Sequence, residues 1–235
     1  MRQKILTAFV AALVLGSGTG RAESVDWTGF YAGADAGFAL DRFAFSYGVA
    51  LPGKFFSGDG TITSAGPVAG GNFAYEHLFG PGILAGIVLD GNWANITGST
   101  TVIGGPDIKA EFATRESDCA TARLKLGYTL DRWAPYLTGG LSLATARTSF
   151  DVSEPGFTVA DGSTATRSGF FPQVGAAGLG LDYALAPRLR LTGEYIYDFT
   201  NARYAVYTPA PDTDVGFGTR EMYHVFRLGV AWKLD

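Results

Sequence analysis

The chain has little of what a water-facing domain usually carries. Only 17% of its 235 residues are Asp, Glu, Lys or Arg, below the charge of an ordinary soluble surface. Lysine is scarcest, confined to Lys4, Lys54, Lys109, Lys125 and Lys233. The net charge of −4 argues against a nucleic-acid binder, which needs a basic patch. A lone Cys119 excludes an intramolecular disulfide framework, and a buried, inert thiol is expected there. No stretch keeps a helical period. Past the first residues no apolar run reaches the roughly 20 residues of a spanning helix, which argues against a helical inner-membrane protein.

What is present starts with an export signal. Arg2 and Lys4 give a basic start, Ile5 to Gly16 an uncharged apolar run, and Ser17 to Ala22 a small-residue end. That is the three-part pattern of a secretory signal peptide, too short to span as an anchor. Residues 1–22 are expected to be removed, leaving one domain, 23–235.

That domain alternates with period two. In Leu189 to Thr200, Leu189, Leu191, Tyr195, Tyr197 and Phe199 share one face, and Arg190, Thr192, Glu194 and Asp198 the other. Successive strand side chains point to opposite faces, so this is a strand with one apolar side. The stretch 222–234 repeats the pattern, with His224 as the odd member of its apolar row. Six more strands read the same way near 27–42, 61–77, 83–97, 113–130, 134–149 and 169–185. Pro172 and Gln173 break the last and predict a bulge or a late strand start.

Connections alternate in length. Phe79–Gly82, Leu130–Trp133 and Leu185–Arg188 are short and built from turn formers. The segments 43–60, 98–112, 150–168 and 201–219 are polar, rich in Gly, Thr, Ser, Asp and Pro, and read as long loops. Eight strands with short turns at one end and long loops at the other predict an all-β fold: a single eight-stranded antiparallel transmembrane β-barrel in the outer membrane.

Alternation alone also fits a soluble periplasmic barrel with its apolar face inward. Three features favour the membrane arrangement. The polar faces carry balanced mid-strand charges: Asp35, Asp90, Arg123, Lys125, Asp182, Arg190, Glu194 and Arg227. Facing a common lumen they form a charge network, and an eight-stranded lumen is just wide enough for side chains to fill. Aromatic residues gather near strand ends, with Trp27, Phe30, Tyr75, Phe79, Trp133, Tyr183 and Trp232 at the short-turn end and Trp93, Phe150, Phe170 and Tyr204 at the other. Such rings form girdles at membrane interfaces. Eight regular strands also permit closure, which backbone in lipid requires.

Several short motifs carry a resemblance. Trp27-Thr28-Gly29-Phe30-Tyr31-Ala32-Gly33, GPVAGGNFAYEH (66–77), LKLGYTLDRWAPYLTGGLSLA (124–144), GEYIYDF (193–199) and HVFRLGVAWKLD (224–235) resemble the porin-family, opacity-like surface proteins of alphaproteobacteria. The resemblance spans the mature chain. It implies a Gram-negative surface barrel, in contact with outer-membrane lipid and inserted by the barrel-assembly machinery, that meets an extracellular ligand or host surface through its loops.

Catalysis is not expected. His77 and His224 have no Ser two residues on, and neither G-x-S-x-G nor H-E-x-x-H occurs. Asp212 and Asp214 lack calcium-loop spacing. Gly175, Gly178 and Gly180 lie in a strand pattern with no following helix, so close backbone packing is the reading. No cofactor or metal is expected. A surface structural or interaction protein, a small pore for ions or solutes, and a lipid-modifying enzyme compete as functions. The narrow, charge-filled lumen favours the first.

Overall fold

A computed structural model describes residues 25–51, 54–103, 109–154, 157–159, 165–167, 174–200, 203–210 and 213–234. The expected signal peptide, and with it the cut after Ala22, lies outside the described residues, as do Pro172, Gln173 and Asp212. Eleven strands form among the described residues: β1 Gly29–Leu51, β2 Lys54–Phe79, β3 Ile83–Ile103, β4 Lys109–Tyr128, β5 Trp133–Glu154, β6 Phe157–Val159, β7 Ala165–Arg167, β8 Val174–Ala186, β9 Leu189–Thr200, β10 Arg203–Ala210 and β11 Thr213–Lys233.

Eight of these are staves. Neighbours pair in the order β1-β2-β3-β4-β5-β8-β9-β11, all antiparallel, and β11 returns to β1 to close the ring. At that seam Tyr31 pairs with Lys233 and Ala50 with Asp214. No stave is left with an open edge, so the backbone is satisfied without water.

Alternation decides which face is which. Leu124, Leu137, Leu126 and Leu228 are 67%, 65%, 60% and 59% exposed, while Arg123 and Lys125, which flank Leu124 along its strand, are 2% and 3%. Apolar side chains point out and charged ones point in. This is the inverse of a soluble barrel, and it rules that alternative out.

The short connections are tight turns where the residues predict them. Gly80 and Gly82 take positive φ (55° and 151°), and Asp131 does so at 54°. The four long segments are a correction. Expected as loops, they are mostly strand: β1 and β2 remain paired as far as Leu51 and Lys54, and β3 and β4 as far as Ile103 and Lys109. In 150–168, β5 runs on to Glu154 and β6 and β7 pair back onto it. In 201–219, β10 pairs with the start of β11. A spanning strand needs only about 9–11 residues, whereas β1 to β5 and β11 have 20 to 26. Beyond the membrane a strand has no lipid-facing side to keep apolar. Ser, Thr and Gly are therefore tolerated on its outer face, and composition there looks like loop.

Candidate functional site

The site is the lumen, built in layers. Its floor is apolar: Trp27, Leu84, Ala134 and Ala184 pack together. Tyr31 Oη donates to the Trp27 carbonyl (3.1 Å). Lys233 Nζ donates to Asp26 Oδ2 (2.7 Å) and to the Asp26 carbonyl (3.1 Å). The Lys233 hydrogen bond holds the Asp26 carboxyl below the usual aspartate range.

Above the floor lies a first ionic layer. Lys125 Nζ (β4) meets Glu76 Oε1 (β2) at 2.9 Å and also Asp182 (β8). Arg190 Nη1 (β9) meets Glu76 Oε2 at 2.8 Å and Asp182 Oδ2 at 3.4 Å. Thr192 Oγ1 donates to Asp182 Oδ1 (2.7 Å). Two rings cover the cations: Lys125 Nζ lies 4.0 Å from the Tyr136 centroid, and the Arg190 guanidinium 3.9 Å from that of Tyr31, distances at which ring quadrupoles attract cations.

A second layer sits one step further from the floor. Arg123 (β4) reaches Asp90 (2.8 Å) and Glu194 (2.7 Å). Arg227 (β11) reaches the same two carboxylates from the other side (2.9 and 2.8 Å). The four side chains form a closed ring in which each acid bridges both arginines. Asp35 joins at 3.5 Å from Arg227. Thr121 donates to Asp90, Arg123 Nε to Thr121 Oγ1 (2.9 Å), and Tyr136 Oη to Glu194 Oε1 (3.1 Å).

Glycine makes room for these long side chains. Gly37 stands opposite Arg227, and Gly140 opposite Arg123. A Cβ at either would lie 2.0 or 2.1 Å from a neighbouring backbone carbonyl oxygen, so no other residue fits without moving the stave.

All eight charged residues singled out in the sequence reach the lumen, with Asp35 the most weakly engaged. Sequence reading missed Glu76, the shared acid of the first layer. Its signal was parity: it lies on the inward row of β2 with Ser64 and Asn72, between outward Tyr75 and His77. Tyr31, Thr121 and Tyr136 were missed because aromatic or neutral residues attract no notice in a search for charge.

The aromatic residues divide. Phe30 packs outward against Phe73 and Tyr75. Trp133 and Tyr183 stack with centroids 4.4 Å apart, and Trp93 and Trp232 are more than half exposed. Trp27 is a correction: it is 2% exposed and forms the lumen floor, not the girdle. Parity does reach it: Trp27 falls on the inward row of Tyr31 and Ala39, whereas Phe30 falls on the outward one. The side chains of Phe150, Phe170 and Tyr204 lie outside the described part. His77 packs on Phe79, and His224 Nδ1 lies 2.8 Å from Tyr195 Oη on the outer face.

A family model described as "Outer membrane protein beta-barrel domain" matches residues 9–233. The chain belongs to that family. A curated relative, the 31 kDa outer-membrane immunogenic protein of Brucella melitensis, is 27% identical over 215 residues, covering 90% of this chain and 85% of the relative. Brucella suis has a counterpart at the same identity and coverage. Among solved structures, OprG of Pseudomonas aeruginosa is 15% identical with a TM-score of 0.44, covering 88% of this chain and 97% of its own. Ail of Yersinia pestis is 15% identical with a TM-score of 0.31, covering 85% and 99%. The protein is an outer-membrane barrel of a Gram-negative type, and lipid surrounds its apolar belt.

Proposed function

We propose that this barrel is a surface structural or interaction protein, closed to solute flow and without catalysis, whose recognition surface is the β wall standing above the membrane. The observation that carries this reading is the pair of ionic layers. Side chains from six staves meet across the lumen, each cation bridging acids from different staves. The cavities beside them are about 30 Å³ each, roughly the volume of one water. One feature supports a non-enzymatic role: both histidines lie on the outer face, His77 against Phe79 and His224 against Tyr195. The extended hairpins offer a surface to an extracellular ligand, in keeping with a relative named as an immunogen. Insertion by the barrel-assembly machinery belongs to the same reading.

The test is single-channel recording in planar bilayers with refolded protein. No steady openings are expected. Steady porin-sized conductance, changed by Arg227→Gln or Glu194→Gln, would overturn the reading in favour of a small pore.

A further inference from the structure

The outer face of the barrel changes character at one level. On β1 the outward row from Phe30 to Leu40 is apolar throughout, over a length that matches one spanning strand, about 9–11 residues. The next residue on that row is the exposed Arg42. On β11 the apolar row from Trp232 to Phe226 gives way to His224, Met222 and then the exposed Arg220. Both arginines stand just past the belt, on the side of the long connections.

The register brings them together. Arg42 pairs with Met222, and Ala44 with Arg220. The two arginines are therefore diagonal neighbours on one face, a placement that sets them about 7–8 Å apart. Toward β2, Arg42 pairs with Thr63 and Ala44 with Thr61. None of these neighbours is acidic. Among the described residues neither arginine makes an ion pair, whereas each cation of the two ionic layers is held by at least two carboxylates. Two like charges at that spacing repel each other, and an anion between them reverses the sign.

The rows beneath say what carries the anion. Leu40 pairs with His224, and His224 with Tyr197; one row lower, Phe38 pairs with Phe226, and Phe226 with Tyr195. Tyr195 Oη lies 2.8 Å from His224 Nδ1. Rings with an apolar body and a polar tip settle at the head-group level, which puts the arginines among the head groups. Guanidinium forks match phosphate oxygens. A free anion would use the arginines alone, while an anionic head joined to acyl chains also uses the apolar rows below. Barrels of this class keep their short turns on the periplasmic side, so this rim faces the outer leaflet.

We propose that Arg42 and Arg220 form a binding site for the phosphate of an outer-leaflet lipid, whose acyl chains lie along Leu40, Phe38 and Phe226.

A ligand that binds only the folded state raises its stability in a saturable way. The experiment follows thermal unfolding of the refolded full chain in dodecyl maltoside micelles, titrated with phosphorylated lipid A, with lipid A stripped of phosphate, or with inorganic phosphate. The expected result is a saturable rise in midpoint with the phosphorylated lipid, a smaller one or none with the stripped lipid, and none with inorganic phosphate at the same concentrations. Arg42→Gln and Arg220→Gln should each raise the half-saturating concentration about tenfold, as loss of one charge-assisted contact would. Both side chains point away from the barrel, so the lumen is untouched. Arg132→Gln, at an exposed position in the short turn after β4, should leave that concentration unchanged. Equal rises with the two lipids would overturn the proposal. So would an equal rise with inorganic phosphate, which would mark an anion site without a lipid, or a loss in Arg132→Gln as large as in Arg42→Gln, which would mark general charge attraction. If Arg42→Gln does not fold, Arg220→Gln decides: an unchanged half-saturating concentration overturns it.

Discussion

The most telling residue is Glu76. It is fully buried, and it accepts from both Lys125 and Arg190. Removing one member of a buried ionic set leaves its partners desolvated and uncompensated, a loss of about 3–5 kcal/mol. Glu76→Gln should therefore lower the unfolding free energy of the refolded barrel, measured by urea titration, by an amount in that range. Glu76→Gln combined with Lys125→Met should lose less than the two single changes summed, because the double variant leaves fewer unpaired charges. Equality with the sum would mean the two residues do not interact. At this scale the sequence was legible in part. Charges on a polar strand face announce a common lumen, but not their partners. Pairing depends on the stagger of staves around the ring, and Lys125 and Asp182, for example, come from staves that are not neighbours. Trp27 was misplaced because it was grouped with aromatic strand ends by position along the chain, although it shares the inward parity of Tyr31 and Ala39.

Elements were easier to read than their ends. A two-residue period over an apolar row needs only the pleat of a strand to be recognised, and all eight staves announce themselves this way. Facing follows from the same row. Leu228→Arg, near mid-belt, should cost about 2–4 kcal/mol when unfolding is measured in lipid vesicles. Arg at Thr192 replaces a lumen-facing residue, and its effect should depend on the state of Glu194 and Asp182 instead of on lipid thickness. A cost at Leu228 that does not change between thin and thick bilayers would contradict the outward placement. The far ends of the strands, at the long connections, were illegible because their sequence is rich in Gly, Ser and Thr. The amphipathic signal fades there while pairing continues, so polar composition was read as loop.

For the whole molecule, closure matters more than any one stave. The ring is complete without β10, which among the described residues pairs with the outer part of β11. Replacing residues 203–219 by a short Gly-Ser turn should therefore leave a heat-modifiable, folded barrel on gels while abolishing recognition by ligands or antibodies directed at that hairpin. Loss of folding would show that the outer wall is needed for closure. The architecture was legible in the count and facing of strands; the layering of a floor under two ionic levels was not, since it arises only when distant staves are brought face to face. The floor ties the start of the barrel to its end. Asp26 precedes the first stave, yet Lys233, at the end of the last, clamps it. That clamp can exist only in a shut ring, so a residue that belongs to no stave carries the mark that the last stave has docked on the first.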